Sequence, residues 1–281
     1  MKFWKSLSLC ALAAVFLVSC GKSEKSSSVP VRQPDAGVLF REAKSSAEDI
    51  KSCEATFESS LVFTAGEKRY SFLSSEKSIY TAKPFALKAT RSSSNDGLSS
   101  AVSTYALEEN GGIWFYSRSG KGWEKADASG LDISPLEQIN ILSLLTKTDS
   151  EAYVREIKTG SVITHKIELK MNREILRSAI ENIVTASGIA AGSHTIVQTL
   201  LNSSPPVYAY AYLDAETGLP VRIEMDAAEE IDRIFQNIDG AEVKIRVSGY
   251  KISGTVSKVG SAGPVILPEE ALKAHKVEAQ G

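Results

Sequence analysis

From Cys53 onward the apolar residues fall on every second position. Cys53, Ala55, Phe57, Ser59, Leu61 and Phe63 alternate with mostly polar partners. A period of two is the signature of a strand, and it sends one set of side chains to one face. Ala65-Gly66-Glu67 reads as a turn, and residues 70–81 return as a second strand. Phe85, Leu87 and Ala89 alternate in a third. The stretch Ser-Ser-Ser-Asn-Asp-Gly-Leu-Ser-Ser at 92–100 is a turn by composition. Residues 101–108 make a fourth strand. Asn110-Gly111-Gly112 is a tight hairpin turn into a fifth at 113–117. Gly120-Lys121-Gly122 then leads into Trp123-Glu124-Lys125. Connections this short force antiparallel pairing, because parallel neighbours need long crossovers.

Helices flank and interrupt this meander. Val38, Leu39, Ala43, Ala47 and Ile50 recur at helical spacing over residues 35–52, with Asp35 as the cap. Pro135 opens a helix predicted over 134–145. Strands at 152–158 and 161–171 follow. Asn172 caps an amphipathic helix whose stripe is Leu176, Ile180, Ile183 and Val184. Ile196, Val197, Leu200 and Leu201 mark another, stopped by Pro205-Pro206. Residues 207–214 and 219–226 form a hairpin about Ala-Glu-Thr-Gly. A helix carrying Ile231, Ile234 and Phe235 comes next. In the last long strand the alternation slips at Ser248-Gly249, which predicts a bulge. A short helix follows Pro268.

The N-terminus has a different character. Lys2 and Lys5 precede an apolar run at 7–18, broken only by Ser8. A helix of that length covers about 18 Å, against about 30 Å of hydrocarbon, so the pattern is that of a signal peptide rather than a span. It ends in Leu17-Val18-Ser19-Cys20-Gly21, which resembles the bacterial lipobox. That resemblance implies a signal at 1–19 and a diacylglyceryl thioether on Cys20, with an N-acyl chain such as palmitate. Two or three chains hold firmly where one does not, at roughly 0.8 kcal/mol per buried CH2. Residues 20–34, rich in Ser, Lys and Pro, then serve as a solvated tether. Gly21 after Cys20 resembles the pattern of lipoproteins sent to an outer membrane. The expected location is therefore extracytoplasmic: anchored to the outer membrane if the cell has one, otherwise to the cell membrane. Removal of Cys10 and lipidation of Cys20 leave Cys53 alone, without a disulfide partner.

Residues 35–281 are expected to form a single domain. A lipobox, an N-terminal helix leading into a long antiparallel meander, and the late hairpin Tyr-Ala-Tyr-Leu-Asp-Ala-Glu-Thr-Gly-Leu-Pro-Val-Arg-Ile-Glu-Met-Asp before a curved strand and Ile-Leu-Pro-Glu-Glu-Ala together resemble the LolA/LolB superfamily and its LppX/LprG-type lipoprotein relatives. The resemblance implies an α+β fold: a single curved antiparallel sheet, a half-barrel, with helices packed on its concave face around an apolar cavity for acyl chains. It also implies a carrier or sensor that holds a lipid or lipoprotein ligand.

Independently of that resemblance, loosely fitting helices over one sheet face leave a dry cavity. Candidate lining residues are Phe57, Leu61, Phe63, Phe72, Phe85, Leu87, Ile167 and Leu169 on strands, and Leu142, Leu176, Ile180 and Ile183 on helices. The plainer alternative is that these side chains form a filled core. The chain is then a non-enzymatic envelope module that meets its partners through its surface.

Chemistry is sparse. His165, His194 and His275 show no paired ligand spacing, so neither a metal nor a cofactor is expected. No nucleophile elbow, phosphate-binding glycine loop or Cys-x-x-Cys is present. Ser74-Ser75-Glu76-Lys77 matches Ser-x-x-Lys but falls in a predicted strand, where that motif does not operate. Tyr208, Tyr210 and Tyr212 alternate on one face, as a cross-strand ladder or a platform for carbohydrate or lipid headgroups. The formal net charge is −2 with no basic block, which gives nucleic acid no footprint. The reading is a non-enzymatic, monomeric lipoprotein domain whose partner is the membrane reached through Cys20.

Overall fold

The computed structural model describes residues 33–119, 122–159, 162–188, 193–236 and 243–277. The lipobox, Cys20 and His194's side chain lie outside the described residues. Twelve strands form one sheet in the order β12-β6-β5-β4-β3-β2-β1-β11-β10-β9-β8-β7, which curls without closing. The strands are β1 Ser52–Ala65, β2 Lys68–Ala82, β3 Phe85–Asn95, β4 Leu98–Glu109, β5 Gly112–Ser119, β6 Gly122–Asp127, β7 Thr148–Thr159, β8 Val162–Met171, β9 Val207–Asp214, β10 Pro220–Asp226, β11 Ile245–Ser257 and β12 His275–Val277. Every pairing is antiparallel except β12 with β6, which is parallel.

The helices are α1 Ala36–Glu48, α2 Pro135–Gln138, α3 Arg177–Ala186, α4 Ser193–Ser203 and α5 Ala228–Gln236. All five put apolar side chains into one core cluster with the inward residues of the sheet. Asp35 caps α1 through Val38 N. The fold is the expected α+β arrangement: one curved antiparallel sheet with helices on its concave face. A smaller cluster lies on the opposite face. There Tyr105 and Tyr116 pack under Ala271, with Trp114, Trp123, Val265 and Leu267 around them.

Three local expectations differ from the structure. The serine-rich stretch 92–100 is strand on both sides of a two-residue turn. Asp96 (φ 47°) and Gly97 (φ 88°) make that turn. Asp-Gly is a strong tight-hairpin signal, and it outweighs the serines around it. Ser93 and Ser100 share a cross-strand hydrogen bond of 2.8 Å. The helix predicted over 134–145 is broken into α2 and a 3₁₀ turn, Leu142–Lys147. Ile139 takes an extended conformation between them (φ −111°, ψ 106°). Pieces this short do not stand alone. Leu136, Ile139, Ile141, Leu142, Leu144 and Leu145 are all buried, each worth about 1.5–3 kcal/mol, so packing rather than propensity holds them. The third difference is β12, which the alternation did not mark.

The bulge predicted at Ser248-Gly249 is present. Val62 faces Gly249 but Phe63 faces Val247, so Ser248 is the extra residue. Farther along β11, Gly254 lies where Ile141 crosses the sheet. A Cβ there would stand 2.3 Å from Thr56 O and 2.8 Å from Ile141 Cδ1. At Gly249 the nearest atom is Val62 Cβ at 3.9 Å. Gly254→Ala should therefore destabilise by about 1–3 kcal/mol through overpacking, whereas Gly249→Ala should cost under about 1 kcal/mol. Chemical denaturation of the two variants measures both.

Candidate functional site

The inward face of the sheet is not filled evenly. Over β8–β10 the inward residues Ile167, Leu169, Ala209, Ala211 and Ile223 are fully buried in the main core. Toward β1–β3 the cover thins, and a half-open cavity of about 390 Å³ remains. Its floor is Phe57 and Leu61 of β1, Phe72 of β2, and Tyr250 and Ile252 of β11. Its roof is Leu144 of the 3₁₀ turn, Ile175, and Ala179 of α3. Hydroxyl and amide groups ring the mouth, among them Ser93, Asn140, Ser143 and Asn182, with Lys147 at the rim. An apolar floor under a sparse polar rim is the usual make-up of a small-molecule site, and the size falls in the range of roughly 300–1,000 Å³. Outward from Phe72 the register runs through Asn95 to Leu98, which is 82% exposed.

Of the twelve residues named from sequence, Phe57, Leu61 and Phe72 line this cavity. Phe63, Phe85, Leu142, Ile167, Leu169, Leu176, Ile180 and Ile183 are fully buried in the core beside it. Leu87 is half-buried against that core. The sequence did not mark Tyr250, Ile252, Leu144, Ile175 or Ala179 as lining, because they are brought in from four separate elements.

Three polar contacts tie the roof to the sheet. Tyr80 OH donates to Ile133 O at 2.9 Å, just before α2. Tyr250 OH donates to Ile175 O at 3.2 Å, just before α3. The third centres on Glu76, which is 5% exposed on the inward face of β2. Its carboxylate accepts from Arg91 Nε (3.1 Å) and Nη2 (2.8 Å), from Ser78 Oγ (3.1 Å) and from Asn140 Nδ2 (2.8 Å). Asn140 is the residue freed by the break between α2 and the 3₁₀ turn. The signal for Glu76 was available in the sequence: it shares its parity with Phe72 and Tyr80, and an inward carboxylate requires partners. Glu76 also belongs to the Ser-x-x-Lys match, which lies within β2.

Burial keeps the groups that make these ties in their neutral, donating form. Burial raises the Tyr80 hydroxyl to about 12, with the nearby Cys53 and Asp132 adding to it. Burial alone raises Tyr250 further, and burial with Glu54 lifts the Cys53 thiol to about 12. His165 lies on the inward side of β8 near Tyr153, while His275 is in β12. Among the described residues no group of three or more His, Cys, Asp or Glu is placed to hold a metal ion. Among them, too, no helix is long and apolar enough to cross a membrane.

No protein-family model and no curated protein matches the chain. Among solved structures it is similar to LprF from Mycobacterium bovis, at 13% identity and a TM-score of 0.42, over 85% of this chain and 98% of that one. It is similar to the lipoprotein LppX from Mycobacterium tuberculosis, at 13% identity and a TM-score of 0.41, over 83% of this chain and all of that one. It is also similar to a LolA superfamily protein from Nitrosomonas europaea, at 9% identity and a TM-score of 0.22, over 84% and 96%.

Two outcomes follow from the ties. Arg91→Ala leaves the Glu76 carboxylate buried without its cation and should cost about 3 kcal/mol. Glu76→Gln keeps a hydrogen-bonding side chain in place and should cost about 1 kcal/mol. Urea denaturation at neutral pH ranks them. The tyrosines and Cys53 have folded values above their unfolded ones. Their contribution is therefore complete below about pH 9 and is lost as pH climbs toward 12. Tyr80→Phe should flatten that alkaline decline, read as thermal midpoint against pH.

Proposed function

We propose that this chain is a membrane-anchored lipoprotein whose single domain, residues 35–281, holds a lipophilic ligand by its acyl chains, as a carrier or sensor. Cys20 bears the anchoring lipid and residues 20–34 form the tether, which places the domain outside the cytoplasm at the envelope. The observation that carries this reading is the half-open cavity between β1–β3 and the roof, with its apolar floor and polar rim. An acyl chain entering there buries against Phe57, Leu61 and Phe72, and a headgroup stays at the rim among hydroxyls and amides. Each CH2 taken from water contributes about 0.8 kcal/mol, so a chain of ordinary length binds without any specific polar contact. The roof segments are short and are held by packing and three polar ties, and they are the part that yields to a larger ligand. Nothing in this scheme calls for bond chemistry, and the protein is read as a binder rather than an enzyme.

A second reading has its own support. Eight of the twelve predicted lining residues sit in filled core, as in a module that acts through its surface alone.

The two are separated by native mass spectrometry of Pro34–Gly281, which forms one compact unit, purified without detergent. The carrier reading expects a near-stoichiometric lipid, identified after extraction. It also expects Ser178→Trp, at an exposed cavity-lining position on α3, to remove most of it. A bare mass that takes up no palmitate on incubation would leave the surface module as the account of this chain.

A further inference from the structure

The sheet face turned away from the helices carries a second, chemically different feature. Across β11, β1, β2, β3 and β4 it sinks into a trough of about 650 Å³ lined largely by serines. Strand register builds it in two rows. Ser253 lies beside Glu58, Glu58 beside Ser75, and Ser75 beside Ser92. In the next row Lys251 lies beside Ser60, and Ser94 beside Ser99. Among the described residues, Ser60, Ser75, Ser92, Ser94, Ser99 and Ser253 make no side-chain hydrogen bond within the chain. Each hydroxyl therefore offers a donor and acceptor capacity. The trough runs on, through Lys251 and Ser253, into a neighbouring depression of about 600 Å³ that reaches Tyr208, Tyr210 and Glu224.

The lining excludes most ligand classes. Lys251 is paired with Asp226 at 3.4 Å, and Arg222 is paired with Glu224, so no free cationic cluster waits for a phosphate or polyanion. Leu73 is the largest apolar group on the serine floor, which suits neither an acyl chain nor the aromatic anchors of a protein interface. β11, β1, β2 and β3 are paired on both sides along the trough, and β4 meets β5 only over Tyr105–Glu109; an added peptide strand would bond along that edge rather than lie across the serine face. What remains is an uncharged, extended, polyhydroxylated ligand. Glu58, which forms no ion pair among the described residues, offers two carboxylate oxygens to neighbouring hydroxyls. Tyr208, 42% exposed at the far end, offers a ring with an apolar face.

We infer that this outer trough binds a neutral glycan strand laid across β1–β4 and on toward Tyr208. The site is on the opposite face from the cavity and does not rest on the lipid reading. The test is isothermal titration of Pro34–Gly281 with three probes: cellohexaose, chitohexaose and maltohexaose. The expected result is binding of at least one, with a Kd of about 1 mM or tighter. Ser92→Arg, which puts a long cation on the exposed trough floor, should weaken it by about tenfold or more with an unchanged thermal midpoint. Ser92→Thr, which keeps the hydroxyl, should bind like the parent, and so should Ser178→Trp on the other face. No binding by any of the three hexasaccharides, or binding that Ser92→Arg leaves intact, would overturn the assignment.

Discussion

A broad sheet that curls without closing has one face to bury and two edges to protect, and most of this structure answers those demands. The inward face cannot be covered by its own helices through propensity, since none of α1 to α5 exceeds thirteen residues. Burial holds them, and the amphipathic stripes supply it: Ile180, Ile183 and Val184 on α3, and Ile231, Ile234 and Phe235 on α5. The edges are handled separately. The segment after β11 folds back across the outer face, seats Ala271 against Tyr105 and Tyr116, and places β12 along β6. At the opposite edge β7 carries two register irregularities, after Thr148 and Tyr153. Bulges of this kind twist an edge away from further pairing.

Where cover is thinnest, hydrogen bonds take over from packing. Tyr80, Tyr250 and Asn140 each reach across from one layer to the other. Such contacts add little net stability compared with apolar burial. Their effect is directional. A segment held only by leucines can slide by half a turn at small cost. One whose carbonyl must meet a tyrosine hydroxyl, and whose amide must meet a buried carboxylate, has a single seat. Glu76 matters most here because its four hydrogen bonds come from β2, β3 and the broken helix at once. The break at Ile139 is what turns Asn140 toward it.

The sheet was largely legible because period-two alternation and tight turns are local signals. Asp35 and Asn172 as caps, and the slip at Ser248-Gly249, were readable for the same reason. Legibility failed where a residue's role is set from a distance. Asn140, in the interruption between α2 and the 3₁₀ turn, meets its partner on β2, sixty-four positions away. Ile175, Tyr250 and Ile252 become neighbours of Phe57 only once β11 has crossed back beside β1. Periodicity also marks which face a side chain takes without telling floor from filled core. That is why Phe57 and Phe72 line space while Phe63, on the same face, is fully buried, stacked on Phe72 at 6.1 Å.

Composition misled most at 92–100, and the reason bears on function. Serine is a poor strand former by statistics, yet here serines occupy both faces of four neighbouring strands. Ser59, Ser74, Ser93 and Ser100 are in register on the inward side, and Ser60, Ser94 and Ser99 on the outward side. Without bulky side chains the wall at this point is little more than backbone, and space opens on each side of it. The cavity and the outer trough are therefore two consequences of one tract. A leucine at Ser59 or Ser74 would fill the first, and a lysine or arginine at Ser75 or Ser92 would cover the second. A chain that needed only a stable sheet gains nothing from leaving both open, because each serine gives up the burial or cross-strand contact a larger residue provides. The cost is accepted in the stretch of sheet where the cavity and the outer trough both lie.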